Sequence, residues 1–451
     1  MAGLLGAAAA PLKLAALPSD PDVVVIGAGA AGIAAAKRLI ASGLSVIVAE
    51  AADRIGGRAY TESETFGAPY DHGCAWLQGP GDLPWLEIAK REEIKLANHD
   101  YAGFPIYIDG KKASTTDMRR FDRTWSRFQA GMGNAEEDVA ASSVVPLDAP
   151  HAAIAASWIG PMDHGVDLTE LSTGDFNAYA EYDVNYLVRE GLGTLVALHA
   201  ASLPVKLSAP VTAIDYSGGG VKVETAEGTI AAKACIVTVS VGVLASGGVR
   251  FTPELPAEKQ SALEDVPMGL LTKIALQFDG ERFGLKKNDF LSHAIPNDLP
   301  AEVAYFLTVP TGHPYAVGFV GGSFGWELSR AGAAAAVDFA LAEFEKSVGS
   351  RARKHFVKGH MSDWATNPLT MGAYSAAKPG KHASRKVLRE PLAEKVFFAG
   401  EATSDGYIAL CAGAHINGDK VAAQVAAKLD ADCGSCAGPG AQKRRLKEQA
   451  E

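Results

Sequence analysis

The sequence predicts an α/β fold, in which buried strands alternate with helices. Near the N terminus, the β-branched run Val23–Ile26 is followed by an Ala- and Leu-rich, helix-like segment at 33–42 and a second apolar run at 44–49. Strand-like segments then recur between residues 205 and 239, and again at 396–399. The first three segments make a βαβ unit, and the later ones indicate that strands continue through much of the chain.

The remaining secondary structure is predicted from shorter patterns. Alternating or apolar runs predict the following strands: 211–216, 221–225, 235–239, 274–278, 303–309, 316–320 and 396–399. Helix-like patterns cover 83–96, 176–188, 331–347 and 413–429, whereas 141–161 reads as a loop.

Composition excludes several functional classes. The chain has 451 residues, of which 48% are hydrophobic and 21% charged, as in globular proteins, and its length suggests two to three domains. A net charge of −10 disfavours binding to nucleic acid or anionic lipid and slightly favours a cationic substrate. No run is apolar and long enough to span a bilayer. No group of His and Cys residues has the spacing of a metal site, so no metal is expected.

The two ends of the chain differ from the rest. Residues 2–17 resemble the apolar core of a secretory signal but lack a basic start, so 1–20 is either a signal remnant or a poorly ordered leader. The protein is therefore either exported, to the periplasm for instance, or cytoplasmic. Residues 431–451 are polar and basic and predict a flexible tail, which includes the pair Cys433 and Cys436.

The loop after the first strand carries a nucleotide-binding pattern, Gly27-Ala-Gly29-Ala-Ala31-Gly32. In this pattern Gly27 permits the tight turn, Gly29 lets the backbone approach a pyrophosphate, and Gly32 lets helix and strand pack closely. The helix N terminus that follows attracts phosphate. Glu50, at the end of the second strand, can accept hydrogen bonds from ribose hydroxyls. The order of strand, glycine loop, helix, second strand and the acidic residue Glu50 therefore predicts a dinucleotide-binding site.

Three further motifs resemble those of the flavin-containing amine oxidases, the family of the monoamine and polyamine oxidases. They are Arg54-Ile-Gly-Gly57-Arg58, then Asp71-His-Gly-Cys-Ala75-Trp76, and Val396-Phe-Phe-Ala-Gly400-Glu401-Ala-Thr403 near the other end of the chain. The resemblance implies bound FAD, with Arg58 as a second phosphate ligand. It places Gly57, Ala75, Trp76 and the Gly400–Glu401 pair beside the cofactor as well.

The middle of the chain extends this resemblance. Val211 matches the family position whose backbone meets the adenine, and Trp364 lies in a stretch that matches the segment against the flavin ring. Lys273 matches the lysine that holds a water near the flavin and assists the reaction with oxygen, where a cation would stabilise superoxide. Tyr374 matches one wall of the aromatic cage for the substrate amine. Ala373 replaces the cysteine that monoamine oxidases bond to flavin, so FAD should be non-covalent.

The sequence departs from the family at the second wall of that cage. Leu410 stands where relatives carry an aromatic residue, so the cage has one aromatic wall unless Tyr407 moves into place. This favours a bulkier or secondary amine over a simple primary amine. Cys411 should lie beside the flavin, where its backbone N–H can meet the ring.

Taken together, the resemblance implies a Rossmann-like FAD-binding domain assembled from residues 21–82, 204–266 and 384–430. A second domain of mixed sheet and helices, 83–203 and 267–383, would bind the substrate. The expected function is FAD-dependent amine oxidation: hydride passes from the amine to flavin, and oxygen reoxidises the flavin to give hydrogen peroxide. The partners are then a small amine and oxygen, and a homodimer is a possible assembly. One alternative is a dehydrogenase or desaturase of a non-amine with another electron acceptor, and a second is a low-turnover FAD-binding regulatory protein.

Overall fold

The computed structural model describes residues 14–99, 106–108 and 110–436, in which helices and strands are interleaved. The helices are α1 (Ala30–Ala41), α2 (Pro84–Arg91), α3 (Thr115–Gly133), α4 (Ala152–Ser157), α5 (Thr173–Asn177), α6 (Leu192–His199), α7 (Val241–Ala245), α8 (Ala257–Asp265), α9 (Gly322–Ala331), α10 (Ala333–Val348), α11 (Arg351–His355), α12 (Ser384–Arg389) and α13 (Cys411–Cys436). A π-helical segment, Trp158–His164, continues directly from α4.

Among the described residues, five strands form a parallel sheet. Their spatial order is Val205–Lys206, Val46–Ala49, Val23–Ile26, Ala234–Val237, Val396–Phe398. Every residue in the last four of these strands is buried, as expected for parallel strands covered on both faces. The sheet joins three segments that are far apart in the sequence.

Side chains of this parallel sheet alternate between two hydrophobic clusters. Val23 and Val25 pack with residues of α1, α6 and α13 on one face. Val24 and Ile26 pack on the other face against α8, α12 and a four-stranded sheet. The strands of that sheet are Gly228–Ala232, Val221–Thr225, Val211–Asp215 and Arg250–Thr252. The apolar run Val23–Ile26 is continuous because both of its faces are buried.

A second large sheet is mixed. Within the described ranges it has seven strands, in the order Phe356–Met361, Leu271–Phe278, Tyr315–Gly321, Tyr305–Thr308, Phe290–His293, Ile106–Ile108, Lys111–Lys112. One face packs on α10, and the other packs on α3, α4 and the π-helical segment. Smaller pairings join Trp76–Gly79 and Leu96–Asn98 to Val184–Val188, Thr61–Glu62 to Tyr70–Asp71, and Met268–Gly269 to Tyr374–Ser375. The architecture is α/β, as predicted.

Most of the predicted strands are confirmed, with ends shifted by one to three residues. The predicted helix at 331–347 is confirmed as α10, which begins at Ala333 because Gly332, with φ +95°, separates it from α9. The helix predicted at 83–96 ends at Arg91, and the one predicted at 413–429 starts at Cys411.

Two predictions of secondary structure were wrong. The segment 176–188 is not a helix: α5 ends at Asn177, and Val184–Val188 is a strand held between two partner strands. The segment 141–161 is not a loop, because α4 and the π-helical segment occupy its second half. Residues 152–156 are almost fully buried, and this burial favours the helix.

The two ends lie partly outside the described residues, namely 1–13 of the predicted leader and 437–451 of the predicted tail. Leu14 packs against the core, and the N–H of Ala15 donates to Leu203 O at 3.0 Å. Helix α13 continues through Cys436 and so includes the first six residues of the predicted tail. Over the described ranges, no helix combines the length and the apolar character needed to cross a bilayer.

Candidate active site

A cavity of about 1140 Å³ runs between the parallel sheet and the seven-stranded sheet. This volume exceeds the roughly 300–1,000 Å³ typical of small-ligand pockets, so the cavity has room for a dinucleotide and a substrate together. Its wall includes most of the residues that the sequence singled out: Gly27, Gly29, Ala31, Glu50, Gly57, Arg58, Ala75, Trp76, Val211, Lys273, Trp364, Tyr374, Gly400, Glu401, Leu410 and Cys411. The fold thus brings these distant positions to one site.

One end of the cavity is the glycine loop that leads into α1. Gly27 has φ +106°, and α1 begins directly after Gly29, so the helix N terminus faces the cavity. A Cβ added to Gly32 would lie 1.9 Å from Gly27 O, which requires glycine there although Gly32 does not line the cavity. Gly29 also bridges to Gly56, so the second glycine pair stands against the first loop. This arrangement suits the close approach of a phosphate.

Glu50 follows the strand Val46–Ala49 and is 7% exposed. Its Oε2 accepts a hydrogen bond from Ala28 N at 2.6 Å, and its Oε1 accepts one from Ala52 N at 2.8 Å. Burial raises the pKa of this carboxyl, and the two backbone N–H groups oppose that effect. The carboxylate is thereby fixed at the edge of the cavity, with acceptor capacity left for hydroxyl groups.

Arg58 and Glu401 form an ion pair in the cavity wall. Arg58 Nη1 lies 2.9 Å from Glu401 Oε1 and also donates to Ala373 O at 2.9 Å. Ser375 Oγ donates to the other carboxylate oxygen, Oε2, at 2.7 Å. Burial alone would raise the pKa of Glu401, but Arg58, Ser375 and Arg385 outweigh it and lower that pKa. The pair connects two motifs 343 residues apart.

Behind this pair lies a buried network that the sequence did not indicate. Arg385 is 1% exposed and makes two hydrogen bonds to the Asp175 carboxylate, at 2.8 and 2.6 Å. It also donates to Ser375 Oγ at 2.9 Å, and His382 contacts Asp175 at 2.7 Å. The Asp175–Arg385 pairing spans 210 residues, so no local motif could reveal it. It supports Glu401 from the side away from the cavity.

Lys273 lies on the strand Leu271–Phe278 and is 6% exposed. Its Nζ donates to the backbone oxygen of Asp71 at 3.0 Å. The Asp71 carboxylate accepts from the N–H groups of Leu192 and Gly193 at 3.2 and 3.3 Å, at the start of α6. Burial lowers the pKa of Lys273, and Asp71 opposes that effect. An ammonium group is therefore held in the cavity wall by a positioned backbone.

The segment 72–76 is clamped between Arg58 and Trp364. Cys74 N donates to Arg58 O at 3.3 Å, and Trp364 Nε1 donates to His72 O at 2.8 Å. A Cβ added to Gly73 would lie 1.7 Å from Arg58 O, so this contact admits only glycine. The motif Asp71–Trp76 therefore fixes a flat section of cavity wall.

The far end of the cavity is lined by rings. Tyr374 pairs with Gly269, and its O–H donates to Met162 O at 3.2 Å. Burial raises the pKa of Tyr374 well above its usual value, so the phenol stays neutral. Further aromatic side chains line the same region: Trp125, Trp158, Phe176, Tyr179, Tyr182, Phe290 and Phe319. This end can take an apolar chain.

The chain as a whole is similar to known proteins. The model of the family "Flavin containing amine oxidoreductase" matches residues 30–152 and 168–426, most of the chain. The chain belongs to this family. It is thus a flavin-dependent amine oxidoreductase of the type that acts on CH–NH or CH–NH₂ groups, and the family implies a flavin cofactor.

Three relatives of this amine oxidoreductase illustrate the match. Polyamine oxidase 4 of Oryza sativa subsp. japonica is 28% identical over 432 residues, which cover 89% of this chain and 87% of the relative. Polyamine oxidase 2 of Arabidopsis thaliana is 30% identical over 435 residues, covering 88% and 86%. A solved structure of wild-type putrescine oxidase bound to putrescine superposes with a TM-score of 0.76 at 20% identity, covering 90% of this chain and 99% of the other.

One residue that was predicted to line the substrate pocket lies outside the cavity. Tyr407 does not line the cavity: its O–H donates to Glu181 O at 3.2 Å. Gly406 O accepts from Ala180 N at 2.6 Å, and this contact holds the turn that carries Tyr407 away from the cavity. Leu410 does line the cavity, so no ring from residues 406–411 faces Tyr374.

The cavity also contains a carboxylate that the sequence did not indicate. Asp163 belongs to the π-helical segment, next to Met162, and its side chain is open to the cavity. Its side chain is exposed to the cavity, and desolvation by the surrounding protein raises the pKa of the carboxyl to about 7. It is near enough to Tyr374 and Tyr179 to interact with them electrostatically. Because 141–161 was predicted to be a loop, no side chain of the helical segment Trp158–His164 was assigned to the site.

Proposed function

We propose that this protein is an FAD-dependent oxidase of diamines or polyamines that uses oxygen as its acceptor. The observation that carries the proposal is Asp163, a carboxylate in the ring-lined end of the cavity near Tyr374. The polyamine oxidases and the putrescine oxidase named above support the same substrate class.

The charge of Asp163 argues for a substrate with two amino groups. Desolvation by the cavity wall disfavours the charged form of this carboxyl, and a cation held beside it offsets that effect. The nitrogen that is oxidised must be neutral, because its lone pair assists loss of the neighbouring C–H hydrogen. A second, protonated amino group is therefore the suitable partner for Asp163. Because the pKa of the Asp163 carboxyl is about 7, the carboxylate is ionised mainly above neutral pH, and it binds the protonated amino group best there.

FAD fits the other end of the cavity. The α1 N terminus and the Arg58 guanidinium would hold the phosphates, and Glu50 would accept from the ribose. The segment 72–76 and Ala373, which line the same cavity, would contact the flavin ring. An added Cβ at Gly400 would meet no atom within 4 Å, which leaves open space in that part of the wall. Ala373 offers no sulfur, so we propose non-covalent binding within a Rossmann-like domain made from three chain segments.

When bound, the flavin supplies the two-electron chemistry: it takes a hydride from the carbon beside the amine nitrogen and passes the electrons to oxygen as hydrogen peroxide. The chain's own residues position and shield the reactants. Tyr374 and the neighbouring rings exclude water from the apolar chain of the substrate. Lys273 places a cation where negative charge develops on oxygen. The imine product hydrolyses in water.

The test is anaerobic bleaching of the flavin by matched amines, followed by admission of air. A diamine or polyamine should bleach the flavin faster than a monoamine of equal chain length, and air should restore the colour with peroxide formation. In Asp163→Asn the preference for the diamine, measured as kcat/KM, should fall by about tenfold or more, as expected from losing about 1.5–3 kcal/mol of charged hydrogen bonding.

Asp148→Asn is the matched control, because Asp148 is exposed and does not line the cavity. It should leave the preference unchanged. Equal bleaching by mono- and diamines in the unmodified enzyme would overturn the proposed substrate class. Bleaching with no recovery in air would instead favour a dehydrogenase with another acceptor.

A further inference from the structure

A histidine and a glutamate form a hydrogen-bonded pair beside Lys273. His72 lines the large cavity, and its Nε2 lies 3.0 Å from Glu62 Oε1. Both side chains are largely buried, with 12% of His72 and 14% of Glu62 exposed. Lys273 Nζ donates to Asp71 O, which is the carbonyl oxygen of the peptide bond that joins Asp71 to His72. The amine oxidation described above assigns no task to this pair.

Three rings hold the His72 imidazole in the cavity wall. Tyr60 stacks on it with ring centroids 4.8 Å apart, Tyr70 lies against it at 4.7 Å, and His360 meets it edge to face at 4.8 Å. The backbone is fixed as well: His72 N donates to Tyr60 O at 2.9 Å, and His72 O accepts from Trp364 Nε1 at 2.8 Å. The ring therefore has a fixed place beside the cavity.

The hydrogen bond to Glu62 decides which ring nitrogen can act as a base. A carboxylate only accepts, so Nε2 of the neutral imidazole carries the hydrogen and Nδ1 keeps a lone pair. Nothing in the described part of the chain donates a hydrogen bond to this Nδ1. Burial lowers the pKa of His72; Glu62 opposes that effect, whereas His360 and Lys273 add to it. The imidazole is therefore neutral at neutral pH and able to accept a proton.

From this arrangement we propose that His72, oriented by Glu62, is the general base that receives the proton released by the substrate's ammonium group. The proposal rests on the proposed function, in which the nitrogen that is oxidised must be neutral. An alkylammonium ion, with a pKa of about 10.4 as in lysine, is almost entirely protonated at pH 7. A base in the cavity wall removes this proton where bulk water is excluded.

Glu62 supports the base through its charge. Burial would raise the pKa of the Glu62 carboxyl, but hydrogen bonds with Thr65 and His72 outweigh that effect and lower this pKa. The carboxylate is thus ionised, and it stabilises the imidazolium ion that forms when His72 takes up a proton. In this role His72 is a catalytic residue and Glu62 is a positioning residue.

Protons and electrons balance over one turnover. The ammonium N–H bond breaks, and its proton goes to His72 Nδ1. A hydride then leaves the neighbouring carbon for the flavin, so that an iminium ion remains. Oxygen finally receives that hydride equivalent, and the proton held by His72 completes hydrogen peroxide. In sum, one ammonium ion and one oxygen molecule become one iminium ion and one hydrogen peroxide.

The experiment measures anaerobic flavin bleaching by a diamine from pH 7 to pH 10 in the holoenzyme. At pH 7, His72→Gln should slow bleaching by about 100-fold or more and Glu62→Gln by about tenfold or more, as expected from losing a general base or its support. For His72→Gln the ratio of parent to variant rates should fall below about tenfold at pH 10, where roughly a quarter of the amine is neutral. A merely structural residue would lower the rate equally at every pH.

A control and a second readout make the result specific. His360→Gln removes a neighbouring imidazole that does not line the cavity, and it should bleach at the parent rate at every pH. NMR titration of the histidines in the oxidised holoenzyme needs no turnover; the His72 signal is assigned by its loss in His72→Gln. Glu62→Gln should lower the pKa of His72. An unchanged pKa would show that the two residues do not act as a pair and would overturn the proposal.

The outcomes also separate this proposal from the proposed function. A parent enzyme whose flavin is bleached by no amine would refute the amine oxidase function, and the general base with it. A parent enzyme that is bleached, with His72→Gln slowed equally at pH 7 and pH 10 or not slowed at all, would refute the general base alone.

Discussion

Replacing Gly418 with alanine should disturb the nucleotide-binding loop from a position outside it. Gly418 lies in α13, where it packs on Ala31 in the first turn of α1. A Cβ at Gly418 would lie 2.1 Å from Ala31 O and 2.8 Å from Ala31 C and Cα. Non-bonded carbon atoms prefer about 3.5–4.0 Å, so the two helices must separate by about 1 Å.

The energetic cost follows from this separation. Overpacking of a close contact typically costs about 1–3 kcal/mol, and alanine in a helix recovers about 1 kcal/mol relative to glycine. Gly133→Ala is a matched control, because Gly133 ends helix α3 and an added Cβ would meet nothing within 4 Å. The control should be unchanged or slightly more stable, whereas Gly418→Ala should be less stable than the control by about 1–3 kcal/mol.

Two assays measure the effect. Urea unfolding of the apo-protein gives the difference in stability, and titration of FAD, followed by its fluorescence, gives the dissociation constant. Because the shift moves the N terminus of α1, we expect the FAD dissociation constant to rise about tenfold, equivalent to about 1.4 kcal/mol. If Gly418→Ala unfolds at the same urea concentration as the control and binds FAD as tightly as the parent, α13 does not determine the position of α1 and the reasoning is refuted.

Three further predictions concern the cofactor and the pH response. Lys273→Met should slow flavin reoxidation by oxygen far more than it weakens FAD binding, whereas Lys259→Met, which removes a buried lysine outside the large cavity, should lower stability without changing reoxidation in stopped-flow measurements. Acid precipitation should release all FAD into the supernatant, because Ala373 has no sulfur; flavin retained in the pellet would show a covalent link. Burial lowers the pKa of His199 to about 3 and that of His415 to about 4, so the unfolded chain binds more protons below pH 6.5 and the stability present above that pH is lost as the pH falls. Urea unfolding should therefore show lower stability at pH 5 than at pH 7, and replacing both histidines with glutamine should reduce the difference; an unaltered difference would point to other groups.

The sequence by itself determined the nucleotide-binding end of the cavity. The loop Gly27–Gly32 and Glu50 belong to one βαβ unit, whose geometry follows from residues close together in the chain. Gly32 is required by a contact of 1.9 Å with Gly27 O, only five residues away. A local requirement of this kind appears in the sequence as a characteristic spacing of glycines. The family resemblance then added Arg58, Lys273 and Glu401 to the predicted site.

Only the tertiary structure decided the substrate end. Asp163 enters the cavity because residues 152–164 are buried and form helix despite Pro161, and Tyr407 leaves it because its turn is held by Ala180. Asp175 meets Arg385 across 210 residues. The physical reason is common to all three cases: burial and pairing between distant segments set these positions, and neither leaves a periodicity in the local sequence.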